Sequence, residues 1–393
     1  MSDLKQFKEL LAQTSPTPLG LSIRSAKGSC VYDKHGKEYL DFTSGIAVSA
    51  LGHGHPKIND ALKKQIDKHL HVMVYGEFIQ EAQLDLAKKL TAILPKNLSQ
   101  VYFVNSGTEA NEGALKLAKR FNQRTEIVSF EKSYHGSTHG SLSVSGNENK
   151  KYAFRPLLPD VKFIPFNCES SLNSITTRTS CVIMETIQGD AGIRIPTRSF
   201  MQALRSRCTE TGALLILDEI QCGMGRTGTM FAFEHFEIVP DILTIGKAFG
   251  GGMPIGAFVA SEKIMQSLSS NPPLGHITTF GGHPLPCAAA AAALSILEEE
   301  KIIDRVEELG NLLESILQHE NVIEIRRIGL MLAIDLESPQ QVQKVVEKTM
   351  ENGVLCFWFL SCPASFRVAP PLNISKEDLE KGAHVIRRAF DTL

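Results

Sequence analysis

The stretch 241–261, "DILTIGKAFGGGMPIGAFVAS", sets one lysine, Lys247, between a β-rich apolar run and a glycine cluster, with a second apolar run close behind. Runs of this kind are apolar throughout rather than alternating, as in strands buried on both faces. Working upstream, the same signal recurs from about residue 100: "VYFVN", "EIVSF", "VKFIPF", "CVIMETI" and "ALLILDEI" precede "ILTIG" and "GAFVAS". Helical patterns separate some of them. In "TEANEGALKLAKRF", Ala110, Ala114, Leu117, Ala118 and Phe121 share one face. Glu109 and Glu112 lie in its first turn and Lys116, Lys119 and Arg120 in its last, which suits the helix dipole. A second helix fits "RSFMQALRSRCTETG", closed by Gly212. This alternation predicts an α/β fold, a mostly parallel sheet with covering helices.

The flanks read differently. Residues 1–50 and 286–393 carry the hairpin-like "CVYDKHGKEYLDF", long charged helices and late strands around "LMLAIDL" and "FRVAP". They are expected to form one smaller α+β domain from both chain ends, with 51–285 as the large domain. The alanine run Ala288 to Ala293 is a strong helix former and receives no function.

At 393 residues the chain exceeds what one core usually holds. With 43% hydrophobic residues, 21% charged and a formal net charge of −2, it has no basic excess for nucleic acid or acidic membranes. The start, "MSDLKQFKELLAQTSPTP", shows no secretory pattern, and no apolar stretch reaches the roughly 18 residues a bilayer demands, so a cytoplasmic protein without membrane contact is expected. The eight cysteines lie far apart with no C-x-x-C pair, which speaks against a disulfide framework or a zinc cage.

Four features could carry chemistry. Gly223, Gly225 and Gly228 in "CGMGRTG" spell G-x-G-x-x-G after a strand, the spacing of a dinucleotide site and the basis of a rival reading as an NAD-dependent oxidoreductase. No amphipathic helix follows, and Asp218 and Glu219 would stand where a pyrophosphate belongs. In "FVNSGTEANEGALK" a strand ends at Asn105, Ser106 to Thr108 turn the chain and a helix begins. That makes either an anion site at a helix N-terminus or a plain capping box of Ser106 and Glu109; on this stretch alone both readings stand. Asp218 ends one strand, and Lys247 ends the next at the same edge, where ligands of parallel sheets bind. An anion cradle, a carboxylate and a lysine on one crevice are the requirements of pyridoxal 5′-phosphate. The histidine groups around His53, His69 and His135 lack neighbouring ligands at zinc-like spacing, and loop or packing roles are expected for them.

At these residues the sequence resembles the class III pyridoxal phosphate aminotransferases of fold type I, most nearly the acetylornithine and ornithine aminotransferases. The resemblance runs from "LDFTSGIAVSALGHGHP" through "FVNSGTEANEGALKLAKR", "SYHGSTHG", "METIQGDAG", "LLILDEIQCGMGRTG", "TIGKAFGGGMPIGA" and "HITTFGGHP" to "FRVAPPL". It implies a mostly parallel seven-stranded sheet with helices on both faces. By this resemblance Lys247 bonds the cofactor's aldehyde and then moves the substrate proton, Asp218 holds the pyridine nitrogen protonated, and Gln221 approaches the phenolic oxygen. Ser106, Gly107 and Thr108 hold the phosphate, with Thr279 reaching it from a neighbouring subunit of a homodimer with shared active sites. Tyr134 and Ile220 flank the ring, and His135 belongs to the same cofactor set. Arg367, Asp190, Ser137 and Thr278 are the substrate positions.

Two departures bear on the substrate. The acetylornithine enzymes usually carry arginine after "HG", where it clamps a carboxylate; here Ser137 stands, and a hydroxyl does not replace a bidentate guanidinium. The acid expected to pair with Arg367 is Asp190, one methylene shorter than the family's glutamate. The expected reaction moves an amino group from an ω-amino acid of acetylornithine or ornithine type to a 2-oxo acid, 2-oxoglutarate. The alternatives are a 4-aminobutyrate, lysine or other ω-amino donor, or a mutase or decarboxylase of the same family.

Overall fold

The computed structural model describes residues 3–74 and 76–393. Near the N-terminus β1 (Ile23–Lys27), β2 (Cys30–Asp33) and β3 (Glu38–Asp41) form an antiparallel ribbon, and the hairpin-like stretch is the β2–β3 pair. The large sheet contains β4 (Gln100–Val104), β5 (Glu126–Phe130), β6 (Val161–Ile164), β7 (Thr179–Glu185), β8 (Leu214–Asp218), β9 (Ile242–Ile245) and β10 (Gly256–Ala260). Its order is β4-β10-β9-β8-β7-β5-β6, and every pairing is parallel except those of β10.

Five of these strands, β5 and β7 to β10, are buried along their whole length, which is why their sequences do not alternate. Successive residues feed two separate cores. Ile183 and Ile216 face one core with Ala110, Ala114 and Leu117 of the helix Gly107–Asn122. Val182, Met184, Leu215 and Leu217 face the other, with Phe200, Met201 and Leu204 of the helix Arg198–Thr211. Helices therefore cover both faces. The second of them ends as its sequence requires, at Gly212 with φ 70°.

The late strands are β11 (Glu324–Ile328), β12 (Met331–Asp335), β13 (Val354–Leu355), β14 (Phe357–Trp358) and β15 (Ser365–Val368). Four of them make a sheet in the order β11-β12-β15-β14, while β13 joins β3 in parallel, so both chain ends share one sheet. Further bonds tie the ends together: Ser44 Oγ donates to the Ala369 carbonyl at 2.8 Å across 325 residues, and Leu372 N donates to the Ala50 carbonyl at 2.7 Å. The alanine run lies within the helix Pro284–Glu299.

Candidate active site

The carboxyl edge of the large sheet gathers the chemistry. On adjacent strands Glu185 and Asp218 stand opposite each other in register, and Thr244 of β9 faces Asp218 from the other side. Lys247 follows β9 by two residues with φ 48°, a left-handed conformation uncommon outside glycine. Such a backbone persists only where its surroundings enforce it, and it clusters at functional sites.

Asp218 is buried and firmly held. Its Oδ2 accepts from Asn111 Nδ2 at 2.8 Å and meets His135 Nδ1 at 2.8 Å, while Oδ1 accepts from the Ile220 amide at 3.1 Å. Asn111 also donates to the His135 carbonyl at 2.7 Å and accepts from Thr244 Oγ1 at 2.8 Å. Asn111 and His135 lie 107 and 83 residues from Asp218 in sequence, so the carboxylate is fixed largely by tertiary structure. His135 is buried and its Nε2 has no hydrogen-bond partner among the described residues.

Across the crevice the helix Gly107–Asn122 begins with Ser106 as its cap, Oγ accepting from the Glu109 amide at 3.3 Å. The reciprocal half of a capping box is displaced by one residue: the Glu109 carboxylate accepts from the Asn105 amide at 2.7 Å. A Cβ on Gly107 would lie 2.8 Å from Ile220 Cδ1, so only glycine lets the helix terminus approach that side chain. Thr108 Oγ1 lies 2.9 Å from Thr138 Oγ1. The loop at Gly136 (φ 130°) leaves no room for a Cβ beside Thr108.

Between these walls lies a cavity of ≈ 350 Å³, lined by Gly107, Thr108, Tyr134, His135, Ser137, Asp218, Ile220, Gln221 and Lys247 among others. Tyr134 is 40% exposed at its mouth, its hydroxyl 3.3 Å from Ser137 Oγ. Thr278 stands elsewhere, accepting from Asn105 Nδ2 at 3.0 Å and lining a groove with Val101 and Phe103. Thr279 is exposed and is not part of this chain's own crevice wall.

Burial pushes the Lys247 amine down to about 8; the charge of Arg367 adds to this, and Asp218 and Glu185 offset part of it. Arg367, on β15, is only 5% exposed and lies over the Phe359 ring at 4.5 Å. Its Nη2 reaches Asp190 Oδ1 at 3.4 Å and its Nε has no hydrogen-bond partner among the described residues. Burial alone would raise the Asp190 carboxyl, but Ser361, Lys150 and Arg367 hold it below the usual range. Burial raises Glu185 to about 7, with His135 opposing and Asp218 adding to the rise.

Sequence reasoning assigned no role to Asn111, Glu185 or Lys150. Asn111 had a signal, a polar residue one turn from Ala114 on the apolar face of its helix. Glu185 was visible only as a strand-end acid. Its Oε1 accepts from the Tyr134 amide at 2.8 Å and its Oε2 from the Gly189 amide at 2.9 Å. The glycine spacing at Gly223 to Gly228 forms turns rather than a strand-to-helix junction, and Glu219 beneath it is spent on the Ala232 and Phe233 amides at 2.6 and 2.7 Å. The dinucleotide reading is withdrawn on that geometry.

Residues 11–390 match the family model "Aminotransferase class-III". The acetylornithine aminotransferase of Methanocaldococcus jannaschii is 39% identical over 386 residues, covering 95% of this chain and 94% of its own. That of Bacillus subtilis is 37% identical over 376 residues, covering 94% and 95%. Among solved structures, the ornithine aminotransferase of Toxoplasma gondii superposes with a TM-score of 0.92 at 29% identity, covering 99% of this chain and 93% of its own. The omega transaminase of Pseudomonas jessenii in complex with PMP gives 0.92 at 25% identity, covering 100% and 98%. The fold and the crevice are those of an aminotransferase, and the chain belongs to the class-III aminotransferases. It is an enzyme that uses pyridoxal 5′-phosphate.

The residues present fit that cofactor. A carboxylate held by three donors faces a cavity that also receives a lysine amine of lowered pKa, and a capped helix N-terminus with free amides and a threonine hydroxyl closes the far end.

Proposed function

We propose that this enzyme moves the terminal amino group of an ω-amino acid, of acetylornithine or ornithine type, to 2-oxoglutarate. The observation that carries the acceptor is Arg367: a buried guanidinium with one 3.4 Å bond and an unpartnered Nε, close enough to lower the Lys247 amine. With only one long contact to Asp190, such a group has donors left for a second carboxylate. The relatives named acetylornithine aminotransferase support the donor class.

When bound, pyridoxal 5′-phosphate draws electrons from the substrate carbon that loses its proton. Lys247 supplies the amine that anchors it and, once displaced, is the base that takes that proton and returns it. Asp218, with two of its contacts from Asn111 and His135, holds a positive nitrogen in place. Such an ion pair at about 3 Å is worth several kcal/mol at an effective dielectric near 20. Ser106, Gly107 and Thr108 would hold its phosphate, Tyr134, Ile220 and Gln221 would hold its ring, and His135 steadies Asp218. Arg367, with Asp190 as its tether, receives the acceptor's carboxylate, and Ser137 borders the donor; Thr278, which lines a separate groove of this chain, would border it only from the neighbouring subunit.

A second reading, another ω-amino donor such as 4-aminobutyrate or lysine, draws support from Ser137. The residue lines the crevice and offers a hydroxyl where a clamp would need a guanidinium. In this proposal the working unit is a homodimer in which Thr279 of each subunit completes the other's phosphate cradle, and its exposure fits that use. The division into 51–285 and a joint domain of 1–50 with 286–393 is supported by β13 pairing with β3. No helix among the described residues is long and apolar enough to cross a membrane, and we assign the enzyme to the cytoplasm.

The test is direct. Borohydride treatment is expected to fix a cofactor-sized mass on the peptide bearing Lys247, and a donor panel with 2-oxoglutarate should show turnover. Lys247→Ala should keep cofactor binding and lose transamination by about 10³-fold or more. Full activity in that variant would remove Lys247 from the role, and turnover without a 2-oxo acid would redirect the reading to a mutase or decarboxylase.

A further inference from the structure

Asp190 has more partners than a tether for one arginine requires. Its Oδ2 accepts from Ser361 Oγ at 2.6 Å and from Lys150 Nζ at 3.1 Å, and its Oδ1 accepts from the Leu360 amide at 3.1 Å. The contact with Arg367 Nη2, at 3.4 Å, is the longest of the four. Asn147 Nδ2 braces Ser361 Oγ at 3.0 Å, and it comes from the same short segment that carries Lys150. The lysine side chain is 31% exposed while that of Asp190 is only 9% exposed, so a part-exposed cation reaches inward to a buried acid.

This arrangement decides what happens when Arg367 leaves. A buried carboxylate with one counter-charge resists losing it, because separation strands the charge away from water. With Lys150 on Oδ2, Asp190 keeps a cation and two further donors after Arg367 turns away. The acid can therefore stay where it is.

We propose that Lys150 is a positioning residue for carboxylate recognition: by keeping Asp190 neutralised, it leaves the Arg367 guanidinium free to bind the carboxylate of the 2-oxo acid. The inference rests on the aminotransferase reading above. Arg367 then needs no swing of the acidic side chain to change partners, and the tie between the two is set by a residue that touches neither substrate nor cofactor.

The experiment uses the holoenzyme and two readouts, each half-reaction followed separately and the direct binding of glutarate, a dicarboxylate that cannot react. In Lys150→Met the free fraction of Arg367 falls. The half-reaction with 2-oxoglutarate should show a KM raised about tenfold with kcat nearly unchanged, and glutarate should bind about tenfold more weakly, as expected when a competent state becomes a minority. The donor half-reaction should stay within about twofold on the same reasoning. Lys150→Arg should restore both values, and on an Asp190→Asn background Lys150→Met should have no effect. Equal losses in both half-reactions, an unchanged glutarate affinity, or an effect that persists with Asn at 190 would each overturn the proposal. Failure of the underlying reading shows itself elsewhere, as an unaltered protein that processes no 2-oxo acid; a glutarate affinity indifferent to Lys150, or no glutarate binding at all, still counts against Lys150 there.

Discussion

Asn111 and Asp218 are joined at 2.8 Å across 107 residues, and the same amide also reaches the His135 carbonyl. One side chain thus orients the acid and the loop that carries Tyr134. Asn111→Ala leaves the Thr244 hydroxyl and the His135 carbonyl without partners in a buried place, a loss of about 1–3 kcal/mol. The expected outcome is a lower melting temperature together with weaker cofactor retention on dialysis. Unchanged retention would show that Asp218 needs no such support.

The pH response of Lys247 follows from its lowered pKa. A neutral amine is the reactive form, so capture of cofactor by the cofactor-free protein should rise about tenfold per pH unit below about 8 and level off above it. An ordinary lysine would continue to gain up to much higher pH. Arg367→Met removes a like charge, so the inflection should move upward. Stopped-flow absorbance over a pH series measures both, and a profile still rising steeply beyond pH 9 would refute the assignment.

Gly107 tests the fit between the helix terminus and the opposite wall. In Gly107→Ala the new methyl meets Ile220 atoms at 2.8 Å, an overpacking that costs about 1–3 kcal/mol. Ile220→Ala in the same chain should return much of that stability, since the two sites share one contact. Thermal unfolding of the four proteins completes the cycle, and additive losses would mean the contact is not where the strain lies.

Under the proposed function Ser137 is the position that tests donor choice. Ser137→Arg should shift the preference, read as kcat/KM over a donor panel with 2-oxoglutarate, towards donors bearing an α-carboxylate, by roughly tenfold or more for a bidentate pair. An unchanged ranking would detach this position from donor choice.

The fold was legible because its signal is local. Strands buried on both faces are apolar along their whole length, and Gly212 and Ser106 end and begin helices by rules that act within a few residues. Lys247, Asp218 and Thr108 were legible as well, since each stands where a strand or helix ends. Asn111 needed the third dimension: its partners at 135, 218 and 244 are brought to it only by the closed sheet. Lys150 carried no local mark at all, being one of two lysines in a polar loop whose meaning depends on where Asp190 comes to rest. The displaced capping contact of Glu109 is a smaller instance, in which the residue after β4 supplies the amide in place of the cap's own.

The pairing of β3 with β13, and the Ser44 bond to Ala369 across 325 residues, mean that the segment carrying Arg367 is held by contacts between the two ends of the chain. Contacts at such separation are the most demanding in chain entropy and the slowest to form. In the proposed site Lys247, Asp218 and the chain's own phosphate cradle lie between residues 106 and 247, as do Ser137 and Asp190, whereas Arg367 lies in the segment that those end-to-end contacts hold. On that reading the guanidinium proposed for the acceptor depends on the whole chain, while the lysine and its acid depend on the middle of it.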